Sequence, residues 1–272
     1  MNPPADKAAR ERAFWNDRFA DDPDDEDLIG LADFHDPVES GFAFLGVPVH
    51  NELLLELLGD LRGKTVLDVG TGTGFLSIAM ALRGARVLSI DVSEEALFRA
   101  RRRAQRNRVD DRIQLLQCDC AALALPDDAV DAVVGNFILH HLELEPAARE
   151  IARVLRPGGR ACFLETFDAL GVFRLAKRHV VGRFGIPRMG TLDERPLDRG
   201  DVRMLRSCFG GRARTHAPSV LCMRLVPYYI RALQWRPVSA LFEFGDAMAA
   251  RIPPLRWATY HRLIELGGSD PR

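Results

Sequence analysis

The sequence predicts an α/β fold of the doubly wound kind, a mostly parallel sheet with helices on both faces. Three observations predict it. From Lys64 to Thr166, short apolar runs alternate with helix-length amphipathic stretches, which implies crossover units. A glycine cluster stands directly after the first apolar run. Acidic residues then close or follow later runs, at the edge where open α/β sheets bind ligands.

Taken in order, the head of the chain, residues 1–50, is mixed in character. Phe14, Trp15 and Phe19 sit in a charged, helix-like run, and the acidic stretch Asp21 to Asp27 reads as a solvated loop. Phe42 and Phe44 belong to an aromatic-rich piece that follows. Asn51 is expected to cap an apolar helix through Leu58, ended by Gly59. Thr65 to Val69 is the first strand, and Phe75 to Leu82 a helix. Arg86 to Ile90 is the second strand. Ser93, with Glu94 and Glu95 in the first turn, starts a helix to about Asn107. Arg112 to Gln117 and Ala129 to Asn136 are the third and fourth strands. Pro146 opens a helix that Pro157, Gly158 and Gly159 stop, and Arg160 to Glu165 is the fifth strand.

Beyond Phe167 the pattern weakens, and residues 191–197 read as a surface loop. Asp201 to Phe209 is a helix, followed by strand-like runs at Arg212–His216 and Ser219–Leu225. Val238, Leu241, Phe242, Met248, Ala249 and Ile252 fall on a helical stripe, expected in the core or on a dimer face. The organisation expected is one folding unit: a helical cap over 1–50, a cofactor-binding core over 51–168, and the remaining strands with an insert and helical tail over 169–272.

Composition excludes several functions. Lys+Arg 37 against Asp+Glu 38 in 272 residues gives a net charge of −1, with no general attraction to nucleic acid. The arginine-rich helix segment from Arg99 to Arg108 is expected to be a solvated face. Five cysteines without a Cys-x-x-Cys pair suggest neither a disulfide framework nor a metal site. No stretch approaches the ~20 apolar residues that span a membrane. The polar start lacks a signal-peptide core, so a cytoplasmic location is expected.

The chemistry is carried by Val66-Leu67-Asp68-Val69-Gly70-Thr71-Gly72-Thr73-Gly74-Phe75, a strand, a glycine turn and a helix start. Glycine at every second position lets a ligand lie against bare backbone. The dinucleotide fingerprint Gly-x-Gly-x-x-Gly fits Gly70 and Gly72, but its third position falls on Phe75, where close packing needs a small residue. Asp91 ends the second strand, where a carboxylate can accept from both hydroxyls of a ribose.

The spacing Gly70-x-Gly72-x-Gly74 resembles the first motif of class I methyltransferases that use S-adenosylmethionine. Asp91, Asp119 in Gln117-Cys118-Asp119-Cys120, the strand ending in Asn136, His140-His141-Leu142 and Glu150 to Gly159 match that family's small-molecule branch in order. The resemblance implies a seven-stranded sheet with one antiparallel strand in its last pair, near 212–225. It implies S-adenosylmethionine as cofactor, held by Asp68, Gly70, Thr71, Gly72 and Gly74 on the methionine side. Asp91 would take the ribose, Asp119 the adenine, Val92 and Cys120 the ring faces, and Asn136 the methionine end.

The donor is a sulfonium, so the protein's work is alignment in a dry pocket. A hydroxyl acceptor must also lose a proton, and His140, His141 and Glu165 lie at the right edge of the sheet to take it. Trp15, Phe42, Phe44, Phe173 and Arg195 are candidate walls of an acceptor pocket. The expected reaction is methyl transfer to a small, natural-product or lipid-like acceptor at oxygen. N- or C-methylation of a small molecule or peptide, a nicotinamide-dependent oxidoreductase, and a non-catalytic cofactor-binding partner are the alternatives.

Overall fold

The computed structural model describes residues 7–20, 47–179, 194–230, 233 and 235–268. Seven strands form one sheet: β1 (Thr65–Val69), β2 (Arg86–Asp91), β3 (Ile113–Gln117), β4 (Val130–Asn136), β5 (Leu155–Thr166), β6 (Ala213–His216) and β7 (His261–Gly267). Their order is β3-β2-β1-β4-β5-β7-β6. The pairs from β3 to β5 are parallel, whereas β7 runs antiparallel to both β5 and β6. The single antiparallel strand is therefore β7, wedged between β5 and the edge strand.

This corrects the expectation for the last pair. Residues 219–225 form no strand, and the seventh strand comes instead from 261–267. The sequence His261-Arg262-Leu263-Ile264-Glu265-Leu266 hides it, because half of its side chains are polar yet all six are buried. Partners meet part of that polarity. Glu265 meets His216 at 2.9 Å, and Arg262 lies between the rings of Trp257 and Phe167.

Helices sit on both faces: α1 (Lys7–Ala20), α2 (Val47–Leu58), α3 (Phe75–Leu82), α4 (Glu94–Arg106), α5 (Leu144–Val154), α6 (Val172–His179), α7 (Arg199–Cys208), α8 (Leu225–Tyr229) and α9 (Arg236–Ala249). One core layer joins α2 and α3 to Val66, Val87, Ala132, Val134 and Leu164. The other joins α5 and α7 to Leu67, Val69, Val133, Ala161, Phe163 and Ile264. Alternate residues of β1 and β4 thus feed opposite layers, as a sheet covered twice requires.

Local signals acted as expected at α4, where the Ser93 hydroxyl accepts from the Ala96 amide at 3.1 Å and Asn107 ends the helix. They misled at α2: the helix starts at Val47, and Asn51 is a fully buried residue inside it rather than its cap. A core placement of the stripe on and just after α9 is also corrected. Leu241, Met248 and Ile252 are exposed, and Asp246 is the buried residue of that helix, accepting from the amides of Cys222, Met223 and Arg224. Arg103 leaves the solvated face expected of its helix: it is buried, and its guanidinium donates to Thr73 Oγ1 at 3.1 Å.

Candidate active site

The carboxyl ends of β1, β2, β3, β4 and β5 converge on one edge, and the turn after β1 is its centre. Gly70, Gly72 and Gly74 take φ values of +67°, +51° and +84°, which side-chain-bearing residues avoid. Their surroundings differ. A Cβ on Gly70 would stand 2.4 Å from Ile138 Cδ1, and one on Gly74 would stand 3.1 Å from Ala100 Cβ. At those two positions the missing side chain admits protein. At Gly72 the nearest atom would be the Phe19 ring tip of α1 at 3.8 Å, so this backbone is open beneath α1.

Four of the turn's amides are already engaged. Gly70 and Thr71 donate to the Ile90 carbonyl, Gly72 to Asp91 Oδ2 at 2.9 Å, and Gly74 to the Thr71 carbonyl. A diphosphate cradle needs such amides unengaged. Those four amides are therefore not open to a diphosphate, which agrees with Phe75 in the fingerprint's third place.

Asp68 is buried, and its Oδ2 accepts from Ser77 Oγ at 2.5 Å and Thr71 Oγ1 at 2.9 Å. Its Oδ1 is buried without a hydrogen-bond partner. Burial pushes this carboxyl up to about 6, against the pull of the two hydroxyls. Asn136 Oδ1, at the end of β4, is likewise buried and unpartnered. Two orphaned acceptors beside an open glycine are what a ligand carrying an ammonium group would satisfy. Asp91 accepts the amides of Gly72 and Ser93, each at 2.9 Å, and burial raises its carboxyl above the ordinary range. Each carboxylate oxygen keeps a second acceptor site for a ribose hydroxyl. Asp119 accepts the Ala121 amide at 2.9 Å in the turn after β3, next to buried Cys120, whose thiol burial pushes up. Val92, half-buried, follows Asp91 directly.

The chain then turns sharply at Phe137, whose φ of +55° is a strained value for an aromatic residue. Glu165, fully buried at the end of β5, holds this turn. One of its oxygens accepts the amides of Ile138 at 2.8 Å and Leu139 at 2.6 Å. The other lies 2.7 Å from His140 Nδ1.

Helix α1 covers this edge. Lys7 Nζ donates to the Leu142 carbonyl at 2.8 Å, and Asn16 Oδ1 accepts from Ser93 Oγ at 2.7 Å. Glu11 Oε2 lies 3.1 Å from His141 Nδ1 and also accepts from Trp15 Nε1. The Trp15 ring stands edge-on to His141, with centroids 5.4 Å apart.

Trp15 thus joins His140, His141 and Glu165. Phe173 meets Tyr260 at 4.8 Å, and ring contacts continue through His261 to Phe137. Arg195 instead forms a two-pronged ion pair with Asp201, at 2.6 and 2.7 Å, bracing the start of α7. Phe42 and Phe44 lie outside the described residues. Sequence reasoning missed Glu11 and Glu194, both buried and both beside His141, the second at 3.3 Å. Neither sits in a motif; a charged helix and an apparent surface loop concealed them.

Residues 67–163 match the family model described as methyltransferase domain. The demethylmenaquinone methyltransferase of Clavibacter sepedonicus is 39% identical over 106 residues, covering 39% of this chain and 42% of that protein. The ubiquinone biosynthesis O-methyltransferase of Aeromonas salmonicida is 38% identical over 123 residues, covering 44% and 50%. The chain thus spans about half the length of the curated relatives it matches. A solved geranyl diphosphate C-methyltransferase from Streptomyces coelicolor shares the fold, with a TM-score of 0.60 at 17% identity over 98% of this chain and 100% of that one. Glycine turn, edge carboxylates and sheet order together place the domain formed by residues 67–163 among the class I methyltransferases, which draw their methyl group from S-adenosylmethionine.

Proposed function

We propose that the whole chain transfers the methyl group of S-adenosylmethionine to an oxygen of a small, lipid-like or natural-product acceptor. The observation that carries the choice of oxygen is the Glu165–His140 pair. A buried carboxylate 2.7 Å from Nδ1 orients an imidazole for proton transfer, and a hydroxyl acceptor, unlike a carboxylate, needs that help.

The bound cofactor supplies a methyl group on a cationic sulfur. The residues of this chain bind and align it. Asp68 Oδ1 and Asn136 Oδ1 would receive the ammonium of its methionine half, Gly72 would admit its chain, and Asp91 would take the ribose hydroxyls. Asp119 and Cys120 would border the adenine. Helix α1, with Phe19 over Gly72 and Trp15 against His141, would close the site and exclude water. His140 would accept the proton of the acceptor hydroxyl as that oxygen takes up the methyl group. Glu165 stabilises the imidazolium that results.

The test is to incubate the full chain with S-adenosylmethionine and a panel of phenols and hydroquinones, following S-adenosylhomocysteine release and locating the new methyl group by NMR. Methyl ethers are the expected products. A methyl group on carbon or nitrogen would move the assignment to another acceptor atom. Tight cofactor binding with no turnover across the panel would favour a non-catalytic partner.

A further inference from the structure

We infer that His140, His141 and Glu194 form a site for one divalent transition-metal ion at the acceptor end of the pocket. One donor atom from each residue lies within 4.8 Å of the others. Zinc-type bonds of ~2.0–2.2 Å put neighbouring ligand atoms roughly 3.3–3.5 Å apart. His141 Nδ1 and Glu194 Oε1 already stand at 3.3 Å, the spacing such an ion needs.

Two features of the surroundings support this donor set. Two carboxylates face a single imidazole nitrogen: Glu11 at 3.1 Å and Glu194 at 3.3 Å from His141 Nδ1. Glu11 also accepts from Trp15 Nε1, so Glu194 is the carboxylate of the donor set and Glu11 stands beside it. The second feature is Glu165, which takes Nδ1 of His140 and leaves Nε2 as the nitrogen for another partner. A carboxylate behind a ligating imidazole is the usual outer support of such sites. All of these groups are nearly buried, at 0–9% side-chain exposure, so little water competes for an ion there.

Two imidazoles and a carboxylate select zinc, cobalt, nickel or iron over magnesium or calcium. With three protein ligands, the ion keeps an open position. The inference rests on the proposed function only for what occupies it: an oxygen of the acceptor. A hydroxyl bound there loses its proton near neutral pH, the task that His140 performs in the metal-free reading.

The experiment uses the full chain, stripped with chelator and titrated with Co²⁺, read by visible ligand-field absorption and by calorimetry. One ion per chain with tetrahedral-type bands is expected. Affinity should fall at least tenfold in His141→Ala and in Glu194→Gln, and by about 10–100-fold in Glu165→Gln. Absence of the bands from the wild-type chain, or unchanged affinity in Glu194→Gln, would overturn the inference and leave His141 Nδ1 between two glutamates with no ion. S-Adenosylhomocysteine affinity, measured on the same samples, separates the two readings. Its loss in the wild type would sink the proposed function and leave the cobalt result standing.

Discussion

Glu165 faces His140 with one oxygen and the amides of Ile138 and Leu139 with the other, so one buried carboxylate holds both the turn after β4 and the imidazole beside it. In Glu165→Gln the amide carbonyl can keep the two backbone donors, but its NH2 then faces Nδ1 and forces the other tautomer. Turnover should fall about 10²-fold or more, with cofactor affinity nearly unchanged. Steady-state kinetics with calorimetry check this. A parallel loss of cofactor affinity would make the residue a brace for the turn only.

Asp68 links stability to pH. Its folded carboxyl sits at about 6, above the ordinary 3.8, so the folded state binds this proton more tightly than the unfolded chain. The contribution is full below about pH 4 and is lost as pH rises through about 6, a change of about 3 kcal/mol. Urea midpoints at pH 4.5 and 7 should therefore differ more in the wild type than in Asp68→Asn. Equal differences would remove the linkage.

The same carboxyl predicts pH-dependent binding. A cofactor ammonium against Asp68 favours the ionised form, so S-adenosylhomocysteine should bind more tightly at pH 7 than at pH 5, with proton release on binding near pH 6. Calorimetry in buffers of different ionisation enthalpy reads that proton directly.

Asp91→Ala removes the acceptor for the Gly72 and Ser93 amides as well as the ribose partner. Cofactor affinity should drop about 10–100-fold, which is ~1.4–3 kcal/mol. Unchanged affinity would refute the ribose role.

Gly70→Ala and Gly72→Ala should part company. Both carry the cost of a left-handed residue, about 1–2 kcal/mol. Gly70→Ala also drives its Cβ into Ile138, adding about 1–3 kcal/mol, part of which Ile138→Ala should restore. Gly72→Ala should cost less stability and more cofactor affinity. Thermal melts with and without S-adenosylhomocysteine check the order.

Legibility in the sequence followed the range of the interactions. The strands and helices from Thr65 to Glu165 are written locally, in period and in caps such as Ser93, and the structure returns them with ends shifted by a few residues. Asp91 could be placed because it ends β2, and His140 because it stands four residues past the end of β4. What failed was long-range. β7 carries His261, Arg262 and Glu265 inside the sheet, and polarity of that kind reads as surface until Trp257, Phe167 and His216 arrive from elsewhere in the chain. Glu11 and Glu194 reach His141 from 130 and 53 residues away, and no spacing rule spans such separations.

The position of β7 also sets an order of events. β6 pairs with no described strand except β7, which begins at His261, 45 residues after β6 ends at His216. While the chain is being synthesised, β5 must wait with one flank bare, and that bare flank is an invitation to mispairing. The sheet is sealed from its far side, late. Substitutions in 261–267 should therefore surface first as poor yield and aggregation during expression, before any defect in chemistry is seen.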